Sequence, residues 1–208
     1  MKRFISGVVL VALFLASLAL GNIAIDILLL VVAILMLQEW YNMTQSDVRF
    51  LLLGLPIVAI PIASLILISM IPDGKMALLL FTSIIISVDT FAMIGGKLLG
   101  GPKLAPKISP RKTWSGLISG AAAGGIASAV VAFLYTMQFE YWQFLLFGIM
   151  MGLIEQSSDL FVSFFKRKFN IKDSGSIIPG HGGVLDRFDG IILTAPIFLY
   201  TFLQCTQN

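Results

Sequence analysis

Hydrophobic residues along this chain do not alternate with polar ones. They come in runs of 15 to 24 residues, most of them long enough to cross a hydrocarbon core of roughly 30 Å as a helix. The runs are Phe4–Leu20, Asn22–Leu37, Phe50–Ile71, Met76–Ile94, Trp114–Thr136, Trp142–Phe165 and Phe188–Phe202. A transmembrane barrel would instead alternate over about ten residues per strand. The first two runs meet at Gly21-Asn22 and predict a helical hairpin. The leading MKRFISGVVLVALFLASLAL has the make-up of a signal peptide, but no small-residue cleavage site precedes the next run, so it is expected to stay as the first helix. The pattern predicts an all-α fold: a polytopic integral membrane helical bundle of about seven transmembrane helices.

Composition agrees and adds an orientation. The 208 residues are 58% hydrophobic and 12% charged, with a mean hydropathy of +0.96, whereas a soluble domain carries about 25% charge. Seven spans place Lys2, Arg3, Arg49, Lys97, Lys103, Lys107, Arg111, Lys112, Lys166, Arg167, Lys168, Lys172 and Arg187 on one side and only Lys75 on the other. Basic loops stay in the cytoplasm, so the N-terminus is expected inside and the C-terminus outside. The net charge of +3 therefore belongs to cytoplasmic loops and is no sign of a nucleic-acid partner. Cys205 is the only cysteine, which excludes an intramolecular disulfide.

Up to residue 75 the chain is chemically plain. Asp26 and Glu39 are expected to be solvated at the membrane surface, and Gln38-Glu39-Trp40-Tyr41 to form an interfacial helix end with aromatic anchors. Beyond residue 75 the polar residues become informative. Asp89 falls within the fourth span, where a carboxylate costs about 2.5–3.5 kcal/mol at a helix centre. The stretch Gly95–Trp114 holds five basic residues, four glycines and three prolines. It predicts a non-helical basic loop, suited either to setting topology or to covering an anion. In the fifth span Gly116, Gly120, Gly124 and Ser128 share one face and predict close helix packing. In the sixth, Gly148, Gly152, Glu155 or Gln156, Asp159 and Ser163 form one small and polar stripe that ends at Lys166-Arg167. Acids on such a stripe should face protein or water rather than lipid.

The loop SFFKRKFNIKDSGSIIPGHGGVLDRFDG, residues 163–190, concentrates the remaining chemistry. Carboxylates at Asp159, Asp186 and Asp189 are hard ligands suited to Mg²⁺. Lys166, Arg167, Lys172 and Arg187 can neutralise phosphate oxygens. The glycines around Asp173-Ser174-Gly175 and Gly180-His181-Gly182-Gly183 allow backbone N–H groups to converge on an anion. No GxxxxGK[ST], HExxH, zinc cysteine cluster or GxSxG occurs. With a single histidine, His181, zinc is not expected, and His181 is read as a loop-orienting residue or phosphate donor ahead of a general acid or base, because phosphoryl transfer needs mainly positioning and charge neutralisation. The residues alone indicate metal-assisted handling of a phosphate-rich molecule beside a lipid bilayer, without naming either substrate.

Two blocks carry a resemblance. One is Ser163-x-x-Lys166-Arg167-x4-Lys172-Asp173-Ser174-Gly175-x-x-x-Pro179-Gly180-His181-Gly182-Gly183-Val184-x-Asp186-Arg187-Phe188-Asp189. The other runs from Asp89-Thr90-Phe91-Ala92 through Gly95-Gly96-Lys97 to Lys107-Ile108-Ser109-Pro110-Arg111-Lys112-Thr113-Trp114. Together they resemble the CDP-diacylglycerol synthase (phosphatidate cytidylyltransferase) family over roughly the C-terminal 120 residues. The resemblance implies transfer of a cytidylyl group from CTP to phosphatidic acid, with Mg²⁺ as cofactor. A second, monovalent cation and a homodimer stay open.

By the same resemblance Asp159, Asp186, Lys172 and Arg187 are expected to be catalytic, and Asp159, Asp186 and Asp189 to serve the metal. Lys166, Arg167, Asp173, Ser174, Gly175, His181, Gly182, Gly183, Asp89, Lys97 and Lys112 are expected to bind substrate. Residues 1–75 are expected to be N-terminal transmembrane helices, and 76–208 a catalytic transmembrane region with cytoplasmic loops 95–113 and 166–187. The expected site is the cytoplasmic face of the bacterial inner membrane. Relatives place a glutamate where this chain has Val162, and Glu155, one turn before Asp159, is the candidate to stand in for it. The chain is also short for the family, by about two spans in its N-terminal half. Two other readings remain: a CTP-dependent transferase acting on another lipid or a polyprenol, and a non-catalytic phospholipid-binding or transport protein.

Overall fold

The computed structural model describes residues 2–135, 140–177 and 182–206. In chain order they form α1 (Lys2–Leu20), α2 (Asn22–Thr44), α3 (Val48–Met70), α4 (Gly74–Leu99), β1 (Lys103–Ala105), β2 (Ser109–Thr113), α5 (Trp114–Leu134), α6 (Tyr141–Lys168), α7 (Leu185–Phe188) and α8 (Ile191–Thr206). Helices α2 to α6 are long and apolar enough to cross a membrane, and Gly7–Leu20 and Ile191–Gln204 are shorter apolar helices. The protein is an all-α polytopic membrane bundle, as the hydrophobic runs predict.

Three local expectations are corrected. First, α2 does not stop at Leu37 but continues to Thr44. Its last turns are held by packing: Trp40 is 1% exposed, its ring meets Phe165 edge-on at 5.2 Å, and its indole N–H donates to the Phe50 carbonyl at 2.8 Å. Trp40 and Glu39 are therefore core residues and not interfacial ones. Second, the basic loop after the fourth span contains a short antiparallel hairpin, β1 against β2, entered through Gly100 and Gly101 at positive φ. Third, the last run breaks at Asp189-Gly190, leaving one short helical turn, α7, before α8.

The chain divides into two compact units, residues 1–75 with 165–208, and residues 76–164. In the first unit α2 packs on α1, α3 and α7, and α3 also packs on α8. Buried Ile25, Leu29, Val32, Met36 and Trp40 recur every three or four positions along α2, as one inward helix face requires. Val58, Ile62, Leu65 and Ile68 do the same on α3. Opposite faces keep Ile23, Ile27, Leu30 and Ile34 exposed, a load of apolar surface that suits lipid. Asp47 caps α3 by accepting from the Arg49 N–H at 3.0 Å. Asp26 is half-buried and accepts from the Ser69 hydroxyl at 2.8 Å.

The second unit is built on absent side chains. On α5, a Cβ at Gly124 would lie 2.9 Å from the Gly148 carbonyl oxygen and 2.8 Å from Val88. A Cβ at Gly152 of α6 would lie 3.0 Å from Ala121 Cα. The small-residue rows of the fifth and sixth spans thus meet each other and α4, which gives the predicted close packing its partners. In lipid this backbone proximity replaces the hydrophobic driving force that helices have in water. Thr113 at the end of β2 caps α5, accepting from the Gly116 N–H at 3.1 Å, so the hairpin hands the chain directly into that helix.

Candidate active site

The segment after α6 turns on two carboxylates. Lys166, in the last turn of α6, is 7% exposed and donates to Asp186 Oδ1 at 2.7 Å; Asp189 Oδ2 lies 3.8 Å from the same ammonium. The other Asp186 oxygen, Oδ2, accepts from the Ser174 N–H at 2.8 Å and the Gly183 N–H at 2.9 Å. Close approach demands glycine here: Gly182 sits at φ +86 with its Cβ position 2.7 Å from Asp186 Oδ2.

The second carboxylate is Glu39, from the far end of α2. It is 2% exposed, accepts the Val184 N–H at Oε1 (2.8 Å), and accepts the Leu185 N–H (2.9 Å) and the Ser174 hydroxyl (2.8 Å) at Oε2. A Cβ at Gly175 would lie 2.6 Å from Glu39 Oε1, and one at Gly183 would collide with the same carboxylate. The backbone donors expected to converge on an anion do so at residues 174, 183, 184 and 185, and the anions they meet are the chain's own Asp186 and Glu39. The expectation that Glu39 is solvated at the membrane surface is thereby corrected. The available signal was an acid beside a tryptophan at the end of an apolar helix, and that signal describes an interfacial anchor equally well.

Around this buried centre the loop keeps its charge outward. Arg167, Lys168, Lys172, Asp173 and Arg187 are exposed. The Arg167 guanidinium donates to the Ile171 carbonyl at 2.8 Å, and the Lys168 ammonium stands 4.7 Å from the centre of the Phe50 ring. His181, expected to bind substrate, lies outside the described residues, together with Pro179 and Gly180.

In the second unit the stripe on α6 meets the hairpin. Lys112 of β2 reaches Asp159 Oδ2 at 2.7 Å and donates to the Gln156 carbonyl at 3.1 Å. Ser163 donates to Asp159 Oδ1 at 3.1 Å, and Gln156 donates to the Leu117 carbonyl at 3.1 Å. Both members of the Lys112–Asp159 pair remain partly accessible, at 19% and 26% of their side chains. Glu155 and Val162 are buried. Asp89 and Lys97 lie on exposed positions of α4, and Lys103, Lys107 and Arg111 on exposed positions of the hairpin.

The donor set suits a hard cation in kind. Mg²⁺ takes one or two carboxylates and completes its shell with water and phosphate oxygens. Among the described residues Asp186 accepts from Lys166, Ser174 and Gly183, which takes three of a carboxylate's roughly four acceptor positions. Asp159 is partly exposed. Among the described residues no group of three or more His, Cys, Asp and Glu side chains gathers round one point, so phosphate and water would have to complete the shell.

A family model described as Cytidylyltransferase family matches residues 44–206. The chain belongs to the cytidylyltransferase family. Its relatives include the phosphatidate cytidylyltransferase of Rickettsia prowazekii (strain Madrid E), 52% identical over 202 residues, covering 94% of this chain and 89% of that protein. The phosphatidate cytidylyltransferase of Rickettsia bellii (strain RML369-C) is 51% identical over 204 residues, covering 95% and 88%. That of Brucella abortus biovar 1 (strain 9-941) is 43% identical over 131 residues, covering 63% of this chain and 48% of that protein.

The resemblance carried by the two motif blocks is borne out, and the match reaches further toward the N-terminus than those blocks do. Glu39 precedes the segment matched to the cytidylyltransferase family.

Proposed function

We propose that this chain is a phosphatidate cytidylyltransferase, forming CDP-diacylglycerol and pyrophosphate from CTP and phosphatidic acid in phospholipid biosynthesis. The observation that carries this reading is the identity of about half over nearly the whole chain to relatives of that name. In the reaction a phosphate oxygen of phosphatidic acid bonds to the α-phosphorus of CTP. The bond from that phosphorus to the β-bridging oxygen breaks, and pyrophosphate leaves with the electron pair.

Both reactants are anions, so the site must first offset their repulsion. Lys172 and Arg187, exposed beside the buried Asp186 centre, are proposed to neutralise CTP phosphates, with Arg167 beside them. Lys112 is proposed to move from its carboxylate partner toward a phosphate oxygen when substrate arrives. The partial exposure of that pair supports this role. Asp159 and Asp186 are each proposed as Mg²⁺ ligands, with Asp189 supporting Asp186 through Lys166. Bound Mg²⁺ supplies charge neutralisation and polarisation of the reacting phosphate. The basic loops are proposed to face the cytoplasm at the bacterial inner membrane, in line with the positive-inside rule.

The test is conversion of labelled CTP by the purified protein with phosphatidic acid, with and without Mg²⁺. CDP-diacylglycerol is expected only when all three are present. No product with phosphatidic acid, but product with another lipid or a polyprenyl phosphate, would overturn the assignment of acceptor.

A further inference from the structure

On the reading that this chain transfers a cytidylyl group, we infer that Glu39 is a positioning residue for the transfer: its carboxylate fixes Ser174 and the Val184–Leu185 backbone and, through them, the aim of Asp186. A carboxylate that is 2% exposed must be met by donors. Among the described residues its three donors are the Ser174 hydroxyl, the Val184 N–H and the Leu185 N–H. No ion pair involves Glu39 among the described residues. The acid therefore serves the loop and not a cation.

Ser174 joins the two carboxylates directly. Its hydroxyl donates to Glu39 and its N–H to Asp186, so a shift of Glu39 moves a ligand of Asp186. Gly175 and Gly183 leave room for the Glu39 carboxylate to press against the loop. The acid stands on a rigid base, because the adjacent Trp40 locks the end of α2 to Phe165 and to the Phe50 carbonyl.

Glutamine at position 39 keeps the size and one acceptor but turns an NH₂ toward a donor. Alanine at position 174 removes one of the three donors and nothing else. The test uses the full chain in detergent micelles, with Glu39→Gln, Ser174→Ala and the double variant. Glu39→Gln is expected to lower the thermal midpoint, because its NH₂ leaves a buried donor unmet, while the chain still accumulates as folded protein. Hydrogen exchange at residues 182–185 should rise while α3 is unchanged.

Supporting residues one step from a metal or reacting group typically cost about 10- to 100-fold when lost, and kcat is expected to fall within that range. KM for phosphatidic acid should hold, because the loop's exposed Lys172 and Arg187 are assigned to CTP. The double variant should be no worse than Glu39→Gln alone, since both changes break the same contact. If Glu39→Gln does not accumulate as folded protein, Ser174→Ala carries the test with the same readouts.

Wild-type exchange and kcat in Glu39→Gln, or fully additive losses in the double variant, would overturn the inference. A wild-type chain that makes no CDP-diacylglycerol would sink the transfer reading and the positioning role with it. In that case the exchange arm alone still reports whether Glu39 holds the loop.

Discussion

Glu39 and Ser174 are separated by 135 positions in sequence and joined by a hydrogen bond of 2.8 Å. The contact ties the end of an early apolar helix to the glycine-rich loop of the family signature. It leaves the loop's backbone N–H groups turned toward protein carboxylates, and its exposed basic side chains as the groups that can meet an incoming phosphate.

Asp186→Asn is expected to be the most damaging single change in the first unit. It removes the charge opposite Lys166, which is 9% exposed at its side chain. Breaking one side of a buried pair costs about 3–5 kcal/mol. Asp189, 3.8 Å from the Lys166 ammonium, should recover part of that. Thermal unfolding in detergent and CTP turnover should both fall, and turnover at wild-type level would remove Asp186 from the proposed metal ligands.

Lys112→Met separates function from stability. The Lys112–Asp159 pair is partly exposed, and such pairs contribute about 0–1 kcal/mol. The thermal midpoint should therefore shift little. If Lys112 meets substrate phosphate, kcat/KM for CTP should fall by about 1.5–3 kcal/mol in transition-state terms, the range for a charged hydrogen bond. A large drop in thermal midpoint with unchanged kinetics would assign Lys112 a purely structural role.

Gly124→Val tests the close approach of α5 and α6. The new side chain would meet the Gly148 carbonyl and Val88. Overpacking typically costs about 1–3 kcal/mol and more where backbone stands in the way. Loss of folded protein on size-exclusion chromatography is expected, whereas Gly7→Val, with open space around its Cβ position, should behave as wild type.

Asp26→Asn is the contrasting case to Glu39. Asp26 shares α2 and accepts one hydrogen bond, from Ser69. An amide oxygen can still accept it, so stability should change by less than about 1 kcal/mol, near the net value of one hydrogen bond. Turnover should be unchanged. A loss as large as that of Glu39→Gln would mean that any polar change on α2 disturbs the enzyme.

Much of the molecule was legible from residue order. The apolar runs predicted the helices because a bilayer span demands a length that no soluble element needs. The glycine row of the fifth span predicted close helix packing, since small residues at four-residue spacing share one face, and the fold supplied α6 as the partner. Two motif blocks carried the family. Each of these signals is local, complete within one helix or one loop.

Tertiary structure decided what local pattern left open. Sequence alone gave Glu39 and Asp26 the same description, an acid near the end of an apolar helix. Folding left Asp26 half-exposed with one partner and buried Glu39 among three donors from a distant loop. It also turned the loop's N–H groups onto Asp186 and Glu39 and set Lys166 inward while Lys172 and Arg187 stayed exposed. A residue's type fixes which bonds it can make, but the partners that satisfy a buried charge are brought to it by the path of the chain.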